Sequence, residues 1–254
     1  MGINYQSFRM EITIGIIGYG EFGKFISDLF LAKFPKEIKC KIYSRSHRID
    51  NKRFYSMDEI CSCDFIIPCS PISKFEDTIH SIVDLIKPNT ILFEVCSVKV
   101  FPNQILKKYT SQLNFVTTHP MFGPRSFKTN EYNLEGKKFV ITDSNLDSST
   151  YSNLITLLKS YKLDVIECTS YEHDELAAKT QFRTHLIAQL FKELKATKTQ
   201  IDTFSYTKLL ESLEIARSNN KLFEEIFMYN PYAKTELTKV IKALSKISTK
   251  LNKI

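Results

Sequence analysis

Short apolar, β-branched runs alternate with amphipathic stretches over the first two thirds of the chain. ITIGIIG, KCKIYS, DFIIPCS, TILFEVCS, NFVTTH and KFVITD have strand length and strand composition. Between them, EFGKFISDLFLAKF and KFEDTIHSIVDLI carry apolar residues at helical spacing. Strands that alternate with helices predict a mostly parallel sheet covered on both faces. A helix at STYSNLITLLKSYK and a strand at DVIECT close this part near Thr169. The strand pattern then stops. YEHDELAAKTQFRTHLIAQLFKEL reads as one long helix, and FSYTKLLESLEIARSN and KLFEEIFMYN as two more. Asn230 and Pro231 supply the N-cap and first position of a last helix. The pattern therefore predicts an α/β class protein: a Rossmann-type mostly parallel sheet over residues 1–169, followed by an all-helical C-terminal domain over 170–254.

Length and composition narrow the class. The chain has 254 residues, 43% hydrophobic and 25% charged, which is ordinary for a folded protein and argues against disorder. Its longest apolar run is far shorter than the roughly 20 residues a membrane helix needs, and MGINYQSFRM lacks the apolar centre of a secretory leader. The net charge of +7 raises nucleic acid as a partner. Much of the excess, however, lies in KTELTKVIKALSKISTKLNK, where lysines recur on one face of an amphipathic helix. No aromatic-studded basic stripe accompanies them, so a solvated face is the reading, with no nucleic acid and no membrane as partner. Six cysteines are scattered, and the Cys61-Ser62-Cys63 pair lacks a second ligand pair. No metal is expected. Free thiols point to a reducing, cytoplasmic location.

Gly18-Tyr19-Gly20-Glu21-Phe22-Gly23 follows the first strand directly and opens the first helix. In that context the glycines serve a tight turn, close approach of a pyrophosphate and close helix–strand packing. The helix N-terminus adds N–H groups and partial positive charge for the phosphates. A dinucleotide site is the prediction. An NAD site usually places a carboxylate at the end of the second strand to hold the ribose hydroxyls. Here that position offers Ser44, Arg45, Ser46 and Arg48 instead. Hydroxyls and guanidiniums suit a 2′-phosphate, so NADP is the expected cofactor.

Strand C-terminal ends line the ligand crevice of a doubly wound sheet. The fourth strand runs into Glu94-Val95-Cys96-Ser97-Val98-Lys99, and the fifth ends in Thr118-His119-Pro120-Met121-Phe122-Gly123-Pro124. In the first helix of the second domain, Asp174, Ala178, Gln181 and His185 fall within about 60° at roughly 100° per residue. Such a small and polar face suits the lining of a site.

Taken together, GIIGYGEFGKF, SRS, SVKVFP, THPMFGP, EHDELAAKTQFRTH and LFEEIFMYN resemble the prephenate/arogenate dehydrogenase family, most closely its plant-type arogenate dehydrogenases. The resemblance implies oxidative decarboxylation of arogenate to tyrosine with hydride transfer to NADP. It implies that His119 accepts the proton of the substrate ring hydroxyl and that Ser97 orients this pair. Gln181 and His185 match helix positions facing substrate, and Lys99 matches the lysine after the serine. Bacterial prephenate-using relatives carry an arginine where this chain has Glu214, and an acidic residue is usual at Arg125. Arg125 and Arg217 thus stand as alternative carboxylate clamps, and Asp143 as a candidate for the arogenate ammonium. Prephenate remains the alternative substrate. A hydroxyacid dehydrogenase would not need His119 within THPMFGP, and a non-catalytic NADP-binding sensor would not need Ser97, His119 and His185 together. Apolar faces such as LFEEIFMY and VIKALSKI predict a homodimer built from the C-terminal helices.

Overall fold

The computed structural model describes residues 12–34, 38–127, 132–217 and 220–254, except for the side chains of Ile215 and Arg217. The chain runs β1 (Ile12–Ile17), α1 (Glu21–Lys33), β2 (Ile38–Tyr43), α2 (Met57–Cys61), β3 (Phe65–Pro68), α3 (Phe75–Ile82), β4 (Ile91–Glu94), α4 (Val100–Leu106), β5 (Asn114–Pro120) and β6 (Lys138–Ser144). It continues with α5 (Ser148–Ser160), β7 (Asp164–Glu167), α6 (Ser170–Ala177), a π-helical turn (Ala178–Phe182), α7 (Arg183–Glu193), α8 (Phe204–Arg217), α9 (Asn220–Tyr229) and α10 (Ala233–Leu251).

The seven strands form one sheet in the order β2-β1-β3-β4-β5-β6-β7. All neighbours are parallel except β5 and β6, which run antiparallel with an irregularity between Thr117 and Thr118. The expected mostly parallel sheet with a helical C-terminal part is therefore what the chain forms. Its central strands are apolar on both faces because helices cover both. Ile14, Ile16, Phe25, Ile26, Leu29, Ile42 and Ile67 make up much of the core, with Val116, Phe139 and Ile141 from the far strands. Phe25 of α1 also meets Phe122, Phe127 and Tyr132, an aromatic cluster packed under the segment after β5. From β1 the chain goes out to β2 and then returns across β1 to β3, which puts the reversal of strand order at the end of β1.

Two compact units divide the chain: residues up to Cys96 with Pro102–Cys168, and Ser97–Phe101 with Thr169–Ile254. In the second unit, Asp174 is fully buried and does the work of a cap. Its Oδ1 accepts the backbone N–H of Lys99 at 2.8 Å and its Oδ2 that of Val100 at 2.9 Å. The buried Nδ2 of Asn230 donates to the Asp174 carbonyl at 2.9 Å. Phe182 stacks on Phe223 at 5.7 Å, and Ala188, Leu213 and Ala216 let α7 and α8 approach closely. Glu236 of α10, buried, takes charge-assisted bonds from Arg183 and Lys239. With burial opposing them, these bonds hold its carboxyl below the ordinary value, Lys239 contributing most.

Two expectations change here. The single long helix is interrupted by the π turn at Ala178–Phe182, whose wider i→i+5 bonding breaks the 100° arithmetic applied across it. The last helix starts at Ala233 rather than Pro231, because Asn230 Oδ1 accepts Tyr232 N–H and closes a turn first.

His173 and His185 are both buried in the second unit. Burial pushes each imidazole below its ordinary value, against a bond to Asp174 for His173 and one to the Ala216 backbone for His185. The unfolded chain takes up these protons near pH 6.5, while the native state resists. Stability is thus full above that pH and declines below it, by at most about 1.4 kcal/mol per histidine per pH unit. Urea unfolding at pH 7.5 and 5.5 checks this, and equal midpoints would contradict the burial of both rings in their neutral form.

Candidate functional site

The turn after β1 is built for close approach. Gly18 has φ +106°, and a Cβ there would lie 2.8 Å from the carbonyl oxygen of Cys69 in the loop after β3. Its N–H donates to the Tyr43 carbonyl at 2.9 Å, which ties the turn to the end of β2. A Cβ on Gly23 would sit 2.1 Å from the Gly18 carbonyl oxygen. Gly20, at the N-cap of α1, differs: a Cβ there meets nothing within 4 Å. The first turn of a helix carries N–H groups with no intrahelical partner, and no side-chain cap takes them up in α1. Open surface at Gly20 beside a helix N-terminus fits a pyrophosphate. Glu21 follows, with Arg125 ion-paired to it at 3.3 Å, and the Phe22 ring lies against Phe25. Arg125 is therefore placed beside the glycine turn.

At the end of β2, Ser44 and Ser46 are joined by a residue the sequence reading passed over. Ser44 Oγ lies 3.0 Å from Ser46 Oγ, and His47 Nδ1 lies 3.0 Å and 3.1 Å from the two. Arg45 and Arg48 flank them, exposed. No spacing rule singles out His47, since its stacking partner Phe54 comes back to it only through a closed loop.

Among the remaining expected site residues, His119 belongs to the first unit, buried near the end of β5 and in register with Val140. The neighbouring Thr118 hydroxyl donates to the Glu94 carbonyl at 2.8 Å, which locks β5 to the end of β4. Ser97, half-buried, and Lys99, fully buried, belong to the second unit on the segment that Asp174 holds. Also in that unit, Gln181 lies within the π turn and His185 on α7. Both carry a buried polar atom without a hydrogen-bond partner, Gln181 Oε1 and His185 Nδ1. A π turn and two unsatisfied buried atoms are features that concentrate at functional sites. Arg217 ends α8, and its side chain lies outside the described residues. Glu214 is exposed on α8. The Asp143 carboxylate is engaged by Lys107 at 2.8 Å and Asn103 at 3.0 Å. Burial alone would raise this carboxyl, and the two bonds outweigh it, so it sits below its ordinary value.

Among the described residues no three His, Cys, Asp or Glu side chains gather to hold a metal. Burial pushes the thiols up, Cys40 to about 12 and Cys61 to about 11, so both stay protonated near neutrality. No helix among the described residues is long and apolar enough to cross a membrane.

The family model described as prephenate dehydrogenase, nucleotide-binding domain, matches residues 41–167, half of the chain. The chain belongs to the prephenate dehydrogenase family. A second model, described as TYRAAT1-like, C-terminal domain, matches residues 190–254. Arogenate dehydrogenase 1, chloroplastic, of Arabidopsis thaliana is 30% identical over 95% of this chain. Arogenate dehydrogenase 2, chloroplastic, from the same plant is 27% identical over 94% of it. The chain spans 39% of the first relative's length and 70% of the second's. In fold, it matches the prephenate dehydrogenase of Aquifex aeolicus, solved with hydroxyphenyl propionate and NAD+, at a TM-score of 0.70 and 19% identity. That match covers 98% of this chain and 91% of the other. The matched residues 41–167 lie in the first unit apart from the short segment Ser97–Phe101, and the glycine turn at Gly18–Gly23 precedes them.

The three glycines of this domain should respond differently to a methyl group. Gly20→Ala should melt within a degree or two of wild type, since its Cβ is unopposed, yet bind dinucleotide more weakly. Gly23→Ala should lower the melting temperature outright, because its Cβ collides with a backbone oxygen. Thermal melts paired with dinucleotide titrations separate the two, and a thermally destabilised Gly20→Ala with normal binding would contradict this layout.

Proposed function

We propose that the protein is an arogenate dehydrogenase that uses NADP. The observation that carries this reading is His119 within THPMFGP at the end of β5, inside the segment matched by the family model. Both curated relatives are named arogenate dehydrogenases, which favours arogenate over prephenate as substrate. The bound nicotinamide would accept the hydride from the hydroxyl-bearing ring carbon. The work left to the chain is positioning and proton transfer, since loss of carbon dioxide makes the ring aromatic and drives the reaction. Neutral His119 withdraws the hydroxyl proton as the carbonyl forms. Ser97 fixes the geometry of that pair. Lys99, Gln181 and His185 line the substrate, and Arg125 or Arg217 meets a carboxylate. Ser44, Arg45, Ser46 and Arg48 favour NADP, as no acid stands at the end of β2 to repel a 2′-phosphate. A cytoplasmic location rests on the six free cysteines alone, and the curated relatives are chloroplastic proteins.

His119→Asn keeps a similar size and removes the base. Turnover should fall by roughly 10²–10⁴, the usual contribution of a positioned general base. The Michaelis constant should change far less, because the lost interaction is made chiefly in the transition state. Steady-state assays with arogenate and prephenate, each with NADP+ and NAD+, give the measurement. Near-normal turnover of the variant on both substrates would remove the mechanism, and a wild type faster on prephenate would reassign the substrate.

We also infer a two-fold homodimer through the C-terminal helices. Ile241, Leu244, Ile247 and Leu251 recur along one face of α10, each at least half exposed, and Met228 of α9 is 71% exposed. An isologous interface would bury such a stripe. Sedimentation at micromolar concentration should give a dimer, and a fully active monomer would refute it.

A further inference from the structure

The loop after β2 holds more than two serines and two arginines. The His47 ring stacks on Phe54 with centroids 4.4 Å apart and planes 11° from parallel. Tyr19, from the glycine turn itself, meets both rings edge-on at 5.2 Å. The Arg53 guanidinium lies 5.1 Å above the Tyr19 ring and is paired to Asp28 at 3.0 Å. Phe54 is not loosely placed. Asp50 Oδ1 accepts the backbone N–H groups of Lys52, Arg53 and Phe54 at 2.8–2.9 Å, and those bonds hold the Asp50 carboxyl down at about 2. Ile42 N–H donates to the Arg53 carbonyl and Tyr55 N–H to the Ile42 carbonyl, which fastens the returning segment alongside β2. The imidazole is thus clamped on a fixed aromatic plate, with Nδ1 turned to the two serine hydroxyls.

The tautomer of the imidazole decides where the serine protons point. If Nδ1 only accepts, one serine hydroxyl donates to it and the other donates to its fellow serine, so both protons are used internally. If Nδ1 carries a proton, it donates to one serine oxygen, that hydroxyl donates to the second serine, and the second hydroxyl proton has no acceptor in the triangle. This second arrangement presents a donor to an incoming anion on the loop that also carries the exposed Arg45 and Arg48. A phosphate, which can only accept, selects it.

We propose that His47, clamped on Phe54 and bonded to Ser44 and Ser46, is a specificity-determining residue that directs the serine hydroxyls towards the 2′-phosphate of the cofactor. The proposal rests on the NADP reading of this chain and deepens it. Ser44, Ser46 and His47 then act as one donor unit, with Arg45 and Arg48 as the flanking charges.

Binding, measured by calorimetry on the full-length protein, tests it with NADP+, NAD+ and adenosine 2′,5′-bisphosphate as probes. His47→Leu keeps an apolar contact on Phe54 and abolishes the Nδ1 bond. It should weaken NADP+ and the bisphosphate about tenfold, the scale of one charge-assisted hydrogen bond, and leave NAD+ within twofold. His47→Asn, whose amide can donate to the serines, should recover part of the loss. Arg45→Ala is measured in parallel. If the wild type does not prefer NADP+ over NAD+, the cofactor reading itself fails. If it does, and Arg45→Ala lowers the preference while His47→Leu leaves it unchanged, only the role of His47 is overturned. An equal loss of NADP+ and NAD+ in His47→Leu also overturns that role, since it would mark general damage to the loop.

Discussion

The first unit depends on how closely the start of α1 approaches the end of β1. A single contact fixes it: the Gly18 carbonyl oxygen lies where any Cβ at Gly23 would have to be. With α1 held that tightly, Phe25, Ile26 and Leu29 reach the sheet core and the helix N-terminus is aimed at the strand-order reversal. The same turn reaches outward twice. The Gly18 N–H is bonded to the end of β2, and the loop after β3 packs on its α-carbon. At Gly18 and Gly23 the shape of the glycine turn and the packing of α1 are therefore one constraint.

The second unit has its own such interaction in Asp174. A fully buried carboxylate costs a great deal unless its oxygens are satisfied. Here they take two backbone N–H groups and the His173 ring. The two backbone partners lie 75 and 74 residues away in sequence, on the short segment that carries Ser97 and Lys99. That segment, though it follows β4, is organised by the helical unit. Breaking the clamp would leave a buried charge unpaired, so the position of Ser97 and Lys99 is stiffly determined by a residue that need not touch substrate.

The glycine turn and the loop after β2 also share a surface. Tyr19 of the turn, His47 and Phe54 form one aromatic group, and Arg53 covers Tyr19 from above. The glycine turn and the loop after β2 are thereby set in fixed relation within a single unit. Aromatic contacts provide that rigidity without regular secondary structure.

Local pattern alone determined much of this protein. Strand and helix identity followed from periodicity, because core burial on both faces of a parallel sheet leaves an unmistakable run of apolar residues. The glycine motif and the THPMFGP segment were legible because each is contiguous and sits at a strand end. Tertiary structure alone decided the rest. The antiparallel direction of β6 depends on pairing with β5, which no local signal encodes. The π turn that carries Gln181 inserts into a sequence of unbroken helical character. His47 gained its partners through a loop closed by Asp50, and Arg125 gained Glu21 across 104 residues. Periodicity reports which face of an element is buried; which distant groups meet is set by how the elements pack, and that information is not local.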